Sequence, residues 1–256
     1  MVGRRSLREW LGRGAPSPRG AAPAEPLPPT VRIGLNESVR TYWLARADQH
    51  TEDWYAGVRI AKFPEDLRVY EHLLWQSKPN AVIELGASFG GSALWFRDRL
   101  RTLAAYRRVA SPRVISVDLD VELALASIRS VDADFEDTIT LIAGDVLDPS
   151  LPELVAAHLP PDARCFVVDD SAHTYETTSA ALHGFSRFVP VGGFFVVEDG
   201  CVDVEAMRRS PDWPRGVLPA LHDWLALEAG LRFAVRRDLE LYGLSCHPEG
   251  FLQRIT

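Results

Sequence analysis

Short apolar runs alternate with segments of helical periodicity along most of the chain. Residues 81–85 (Ala-Val-Ile-Glu-Leu) are an apolar run with one acid, the form of a buried parallel strand. Similar runs cover 114–117, ending on Asp118, and 138–142, followed by Gly144-Asp145. Residues 165–168 end on Asp169-Asp170, and 194–197 end on Glu198-Asp199. Two more strands are expected at 233–236 and 251–255. Helical patterns fill the intervals: an apolar face from Ala93 with Ser92 as N-cap, then 121–130, 151–158, 174–188 and 218–229. Regular strand–helix alternation predicts an α/β fold, a doubly wound, mainly parallel sheet of seven strands.

A helical preamble stands before the first strand. Residues 36–47 carry an aromatic stripe at helical spacing, read as core packing. Pro64 opens a second helix running to Trp75, with Glu65 and Asp66 in the first turn, where the helix dipole favours acids. Lys78-Pro79-Asn80 stops it. The preamble caps the domain or covers the ligand turn. Residues 1–30, rich in Pro, Ala, Gly and Arg, read as a disordered or loosely attached arm with a short helix at 6–11. Residues 31–256 read as a single domain, with 31–79 as preamble and 80–256 as the core.

Composition narrows the class. A chain of 256 residues with 46% hydrophobic content suffices for one large α/β domain. The net charge of −7, without a basic stripe beyond the N-terminus, argues against nucleic-acid binding. No apolar run reaches transmembrane length, and the basic start has no apolar segment behind it, so no membrane partner and no secretory leader are expected. Cys165, Cys201 and Cys246 have no paired spacing, so neither a disulfide framework nor a zinc site is expected, and a cytoplasmic location is.

The connection after residues 81–85 is Gly86-Ala-Ser-Phe-Gly-Gly91, a strand–glycine turn–helix that brings backbone N–H groups close to a ligand. Such a turn also serves as a bare connection. Ser88 stands where the dinucleotide fingerprint has its middle glycine, which argues against a pyrophosphate and a nicotinamide-dependent oxidoreductase. A ligand with a sugar, a base and an amino acid fits better, and S-adenosylmethionine is such a ligand. Glu84 serves either the turn or the ligand's amino-acid part. Asp118, one unit later, can accept from both ribose hydroxyls, or is a helix-capping or loop acid. Asp145 can accept from an adenine amino group, or is a turn aspartate. The residues expected to hold the cofactor are Glu84, Gly86, Ser88, Gly90, Ser92, Asp118 and Asp145.

Asp170, Glu198 and Asp199 lie on strand ends that should be neighbours. Three carboxylates converging without a basic partner repel unless a cation sits between them, and all-oxygen donors point to Mg²⁺ or a similar hard ion. Asp169 competes with Asp170 for this role. His173, three residues beyond Asp170, is placed to take a proton from a hydroxyl held at the metal, or is a helix-capping or core histidine. Tyr175 lines the substrate pocket or simply packs.

The chain resembles the cephalosporin hydroxylase / rhamnosyl O-methyltransferase family of S-adenosylmethionine-dependent enzymes. The residues carrying the resemblance are Trp54-Tyr-Ala-Gly-Val58, Lys62-Phe-Pro-Glu-Asp66, Glu84-Leu-Gly86 with Gly90-Gly-Ser-Ala93, and Asp170-Ser-Ala-His173. It continues through Gly192-Gly193, Val197-Glu-Asp199 and Tyr242-Gly-Leu-Ser-Cys-His-Pro-Glu-Gly-Phe-Leu-Gln-Arg254, the block most particular to the family. The resemblance implies a Rossmann-like methyltransferase fold, S-adenosylmethionine as methyl donor, and a Mg²⁺ site at Asp170, Glu198 and Asp199, with His173 as base. It implies a small-molecule acceptor, often a sugar hydroxyl of a glycoside in secondary metabolism, and a homo-oligomer. The competing expectation is a non-catalytic relative that assists an oxygenase.

Overall fold

The computed structural model describes Thr30 and residues 32–256, so the arm expected at 1–30, with its helix at 6–11, lies almost wholly outside the described residues. The preamble consists of helix α1 (Val39–His50), a two-stranded hairpin β1 (Trp54–Tyr55) and β2 (Val58–Arg59), and helix α2 (Pro64–Ser77). The core then runs β3 (Ala81–Leu85), α3 (Gly91–Ala105), β4 (Arg113–Asp118), α4 (Glu122–Val131), β5 (Ile139–Ala143), α5 (Leu151–Ala156), β6 (Cys165–Asp169), α6 (Tyr175–Phe185), β7 (Phe194–Val197), α7 (Val217–Leu225), β8 (Phe233–Val235) and β9 (Phe251–Arg254).

Seven strands form one sheet in the order β5-β4-β3-β6-β7-β9-β8, with β3 to β7 parallel and β9 antiparallel to both its neighbours. The expected seven-stranded, mainly parallel, doubly wound α/β sheet is what the chain forms. Every residue of β3 is buried because helices cover both faces. One face stacks Ile83, Ile115, Val167 and Phe195 against Leu182, Phe185 and Trp224 of α6 and α7. The other stacks Val82, Val114, Phe166 and Phe194 against Tyr70, Leu73, Leu94 and Phe96 of α2 and α3. Side chains this large stabilise by roughly 1.5–3 kcal/mol each when fully buried.

The register places the site. Leu85 pairs with Val117 on one side and with Asp169 on the other, and Asp169 pairs with Val197. The residues immediately after these, Gly86, Asp118, Asp170 and Glu198, therefore form one row at the carboxyl edge. The row is held by Gly86 N donating to Val117 O (2.8 Å), Asp170 N to Leu85 O (2.8 Å) and Glu198 N to Asp169 O (2.9 Å). The order in which strands are added reverses between β3 and β6, with β4 and β5 on one side and β6 and β7 on the other, and this is the switch point where open α/β sheets leave a crevice.

Local chemistry shifted several element ends. Helix α1 starts at Val39 rather than 36, because the Ser38 hydroxyl accepts from Thr41 N. Ser92 is not the N-cap of α3; Gly90 is, at φ +87°. Helix α6 begins at Tyr175, where Thr174 and Thr177 form a reciprocal capping box, and gives way to a 3₁₀ turn at Ser186–Phe188.

Candidate functional site

A cleft of about 260 Å³ opens at the switch point, lined among others by Gly86, Asp118, Asp145, Asp170 and Ser171. Three of the residues expected to hold the cofactor, Gly86, Asp118 and Asp145, thus share one wall. Gly86 has φ +112°, and a Cβ there would run into the Asp170 carbonyl oxygen, so strands β3 and β6 leave the cleft at backbone contact. Ser88 N donates to Asp118 Oδ2 (2.8 Å) and Leu119 N to Asp118 Oδ1 (2.8 Å), which aims that carboxylate across the turn. Asp145 accepts from Leu147 N at 2.9 Å, the turn role also expected for it.

Glu84 lies beneath this turn, fully buried. Ser116 Oγ donates to its Oε2 at 2.5 Å, while Oε1 has no partner within hydrogen-bonding geometry. Burial pushes its pKa up to about 7, against the opposing pull of Lys62 and of the Ser116 and Ser92 hydroxyls. Gly90 and Ser92 do not line the cleft. A Cβ on Gly90 would strike Ile128 and Ala124, so this glycine serves helix–helix packing, and Ser92 is buried inside α3.

Beside the cleft the structure gathers Asp170, Glu198, Asp199 and His173. Asp170 rather than Asp169 faces this cluster: Asp169 is buried, accepts from Ser171 N at 3.3 Å, and has its pKa raised to about 7 by burial. His173 Nε2 lies 3.7 Å from Asp170 Oδ1 and 3.4 Å from Asp199 Oδ2. Burial pulls its pKa down, but Asp199, Asp170, Asp169 and Glu198 outweigh that and raise it. His173 and Asp199 both adopt left-handed backbone, at φ +56° and +55°. Non-glycine residues enter that region at a cost of roughly 1–2 kcal/mol, held there by their surroundings.

The expectation of carboxylates without a basic partner is corrected. Lys62, from the segment between β2 and α2, places Nζ 2.5 Å from Asp170 Oδ2 and 2.5 Å from Glu198 Oε2. Burial would neutralise this amine, but Asp170, Glu198 and Glu84 together keep it charged. Tyr70 OH donates to Glu198 Oε1 at 2.5 Å. Tyr70 also meets His247 Nε2 at 3.2 Å, and Asp199 N donates to His247 Nδ1 at 3.0 Å. Asp66, expected only as a dipole-favoured acid, is buried and accepts from Ser245 Oγ (2.6 Å) and Cys246 N (3.0 Å), tying α2 to the C-terminal segment. Lys62, Tyr70, Asp66 and His247 escaped sequence reasoning because each lies far along the chain from the strand ends. The one sequence signal was that Lys62, Asp66 and His247 lie in blocks carrying the family resemblance.

A second cavity, of about 240 Å³, lies across the cluster and is lined among others by Trp43, Phe63, His173, Asp199 and Trp213. Trp43 and Phe63 stack with ring centroids 5.1 Å apart. Cys201 and Cys246, distant in sequence, meet here beside Asp199. Tyr175 is not in this wall; it is exposed and donates to Asp223 at 2.8 Å.

For a divalent cation, one ligand atom each from Asp170, His173 and Asp199 lies within 4.8 Å of the others. Glu198 points both oxygens at Lys62 and Tyr70, each oxygen keeping a further lone pair. The carboxylate oxygens suit a hard ion.

Comparison with known proteins gives the same direction. Residues 48–255 match the model of the family described as Rhamnosyl O-methyltransferase/CmcI. Rhamnosyl O-methyltransferases of Mycobacterium bovis (strain BCG / Pasteur 1173P2) and Mycobacterium tuberculosis (strain H37Rv) are each 25% identical over 213 residues, covering 80% of this chain and 79% of theirs. A solved structure of CmcI with Mg and SAM is 22% identical, covers 100% of this chain and 98% of its own, and superposes with a TM-score of 0.57. MycE methyltransferase from the mycinamycin biosynthetic pathway, in complex with Mg, SAH and mycinamycin VI, is 16% identical over 75% of this chain and 48% of its own, with a TM-score of 0.50. The match spans most of the chain, and the chain belongs to the Rhamnosyl O-methyltransferase/CmcI family of O-methyltransferases.

Proposed function

We propose that the chain transfers the methyl group of S-adenosylmethionine to a hydroxyl of a small secondary metabolite, a sugar hydroxyl of a glycoside, with Mg²⁺ held by Asp170, Glu198 and Asp199. The observation that carries this reading is that Asp170, His173 and Asp199, whose ligand atoms lie within 4.8 Å of one another, are divided between the linings of two cavities. Asp170 lines the strand-end cleft, while His173 and Asp199 line the aromatic pocket. A donor bound over Gly86, Asp118 and Asp145 and an acceptor ring against Trp43, Phe63 and Trp213 would face each other across the cluster. The nature of the walls agrees: aromatic rings suit the apolar faces of a sugar, and carboxylates suit its hydroxyls.

In this reading Asp118 accepts from the ribose hydroxyls, as its position at the carboxyl end of β4 allows. The acceptor oxygen forms the new bond to the methyl carbon, the sulfur keeps the electron pair of the bond that breaks, and His173 Nε2 takes the hydroxyl proton. Asp170 and Asp199, 3.7 and 3.4 Å from that same nitrogen, stabilise by their charge the imidazolium that results. When bound, a divalent cation supplies a Lewis acid that makes the hydroxyl easier to deprotonate. The chain's further contribution is orientation, since holding two reactants in line can account for several kcal/mol of a barrier, roughly 7–11 at the most favourable.

Calorimetric titration of S-adenosylmethionine, with Mg²⁺ and then with chelator, followed by turnover of model glycosides, tests the reading. The wild type should bind the donor, and Asp170→Ala should lose the effect of Mg²⁺. His173→Asn should keep donor affinity while kcat falls by roughly 10²–10⁴. Donor binding without turnover of any acceptor would favour the non-catalytic partner instead, and no donor binding would remove the methyltransferase reading.

A further inference from the structure

The reaction as read above gives Lys62 no part, yet no charged side chain among the described residues sits closer to the candidate metal ligands. Its ammonium bridges Asp170 Oδ2 and Glu198 Oε2 at 2.5 Å each, and only 3% of the side chain reaches solvent. It comes from the preamble rather than the sheet, so a separate part of the fold delivers a positive charge to the strand ends. The seat is built for it: Phe63, next in the chain, and Ile60, two residues before, are buried, and Tyr70 holds the far oxygen of Glu198.

We propose that Lys62 is a built-in counter-ion that competes with the divalent cation for Asp170 and Glu198, making the bound cation weakly held and readily exchanged. The inference rests on the reading of Asp170, Glu198 and Asp199 as the metal ligands. Two effects oppose each other. An ammonium that orients ligand carboxylates strengthens a metal site. An ammonium that occupies their oxygens weakens it, because a single and a double positive charge must then share the same two carboxylates where little water screens them.

Orientation is largely secured without Lys62. The Asp170 backbone is fixed by its bond to Leu85 O, and the Glu198 backbone by its bond to Asp169 O. The Glu198 side chain is also held by Tyr70, whose ring packs among Phe96, Phe166 and Phe251. Charge is secured elsewhere only in part: His173 faces Asp170 at 3.7 Å and His247 contacts Asp66 and Asp199, whereas the Lys62 ammonium contacts both Asp170 and Glu198 at 2.5 Å. The electrostatic effect therefore wins, and a single ammonium offsets part of the repulsion between two adjacent acids when no cation is bound.

Titration of MgCl₂ and MnCl₂ into the purified full-length chain reads this without any methyl transfer. Wild type is compared with Lys62→Met and with Lys62→Gln, the second keeping N–H donors while removing the charge. Both variants should bind the cation at least roughly tenfold more tightly than wild type. The melting midpoint of each should also rise more on adding cation than that of wild type. A Lys62→Met chain that folds only with cation present supports the proposal, the cation then taking the ammonium's place. Lys62→Gln binding the cation no better than wild type overturns it and leaves Lys62 a structural tie. Asp199→Asn tests the underlying reading. If it leaves wild-type cation affinity unchanged, the cation sits elsewhere and both readings fall. If it abolishes binding while Lys62→Gln does not tighten it, the Lys62 inference alone fails.

Discussion

Glu84 shows how a single buried group sets a condition on the whole fold. It is fully buried, one of its oxygens lacks a partner, and its pKa is raised from 4.5 to about 7. An acid whose folded pKa lies above its unfolded value binds its proton more tightly when folded. Its contribution is thus fully present below pH 4.5 and is lost as pH rises toward 7, where the unfolded chain gives up the proton more readily. The loss across that window is about 3 kcal/mol. Glu84→Gln should flatten this part of the stability curve. Urea midpoints of the wild type should fall relative to the variant between pH 5 and pH 7, and parallel curves would show that Glu84 is ionised throughout. The acid at position 84 was legible in the sequence because it interrupts an apolar strand. Lys62 was not, because nothing local marks a lysine as buried when its partners lie 108 and 136 residues away. Its absence from the sequence reading made the acid cluster look more dependent on a metal than the assembled site is.

Among elements, the parallel strands were legible because burial on both faces leaves continuous apolar runs, and three of them led into the acids that the register aligned, Asp118, Asp170 and Glu198. The β1–β2 hairpin was not, since two residues per strand give no periodicity. The glycine turn was legible as a turn, but its glycines divide the work in a way spacing alone does not reveal. Gly86 permits backbone contact between the ends of β3 and β6, whereas Gly90 makes room for Ile128. This division has a measurable consequence. Gly86→Ala puts a Cβ against a backbone carbonyl that cannot rotate away and asks a non-glycine residue to adopt φ +112°. It should cost roughly 2–4 kcal/mol and displace Asp170 with it. Gly192→Ala, at φ +81° with nothing within 4 Å of the added atom, carries only the conformational cost, about 1 kcal/mol. Denaturant unfolding of the two variants side by side separates collision from conformation, and equal losses would show that the β3–β6 contact can relax.

In the molecule as a whole, the two cavities rest on different supports. The cleft at Gly86, Asp118 and Asp145 belongs to the sheet edge. The aromatic pocket is closed by α1 and the segment between β7 and α7, a loop without readable specificity in the sequence. That loop is nonetheless organised, and the organiser is Arg208. It is buried, and its guanidinium donates to the carbonyls of Val202, Pro211 (2.8 Å), Trp213 (2.7 Å) and Pro214 (3.1 Å). Asp203 anchors the far end by accepting from Gly216 N (2.9 Å) and Leu218 N (2.8 Å), and Trp43 Nε1 ties α1 to Met207 O at 2.7 Å. Val202, Trp213 and Pro214, all held by Arg208, line the aromatic pocket, and none of them lines the sheet-edge cleft. A planar fork satisfying four carbonyls has no equivalent in lysine. Arg208→Lys should therefore loosen the pocket wall without touching the cleft. Acceptor KM should rise roughly tenfold or more, as charge-assisted bonds worth about 1.5–3 kcal/mol each are lost, while donor affinity stays within about twofold. If donor binding weakens in step with acceptor KM, the loop and the sheet edge behave as one cooperative unit, and the division of the molecule into two independently supported cavities is wrong.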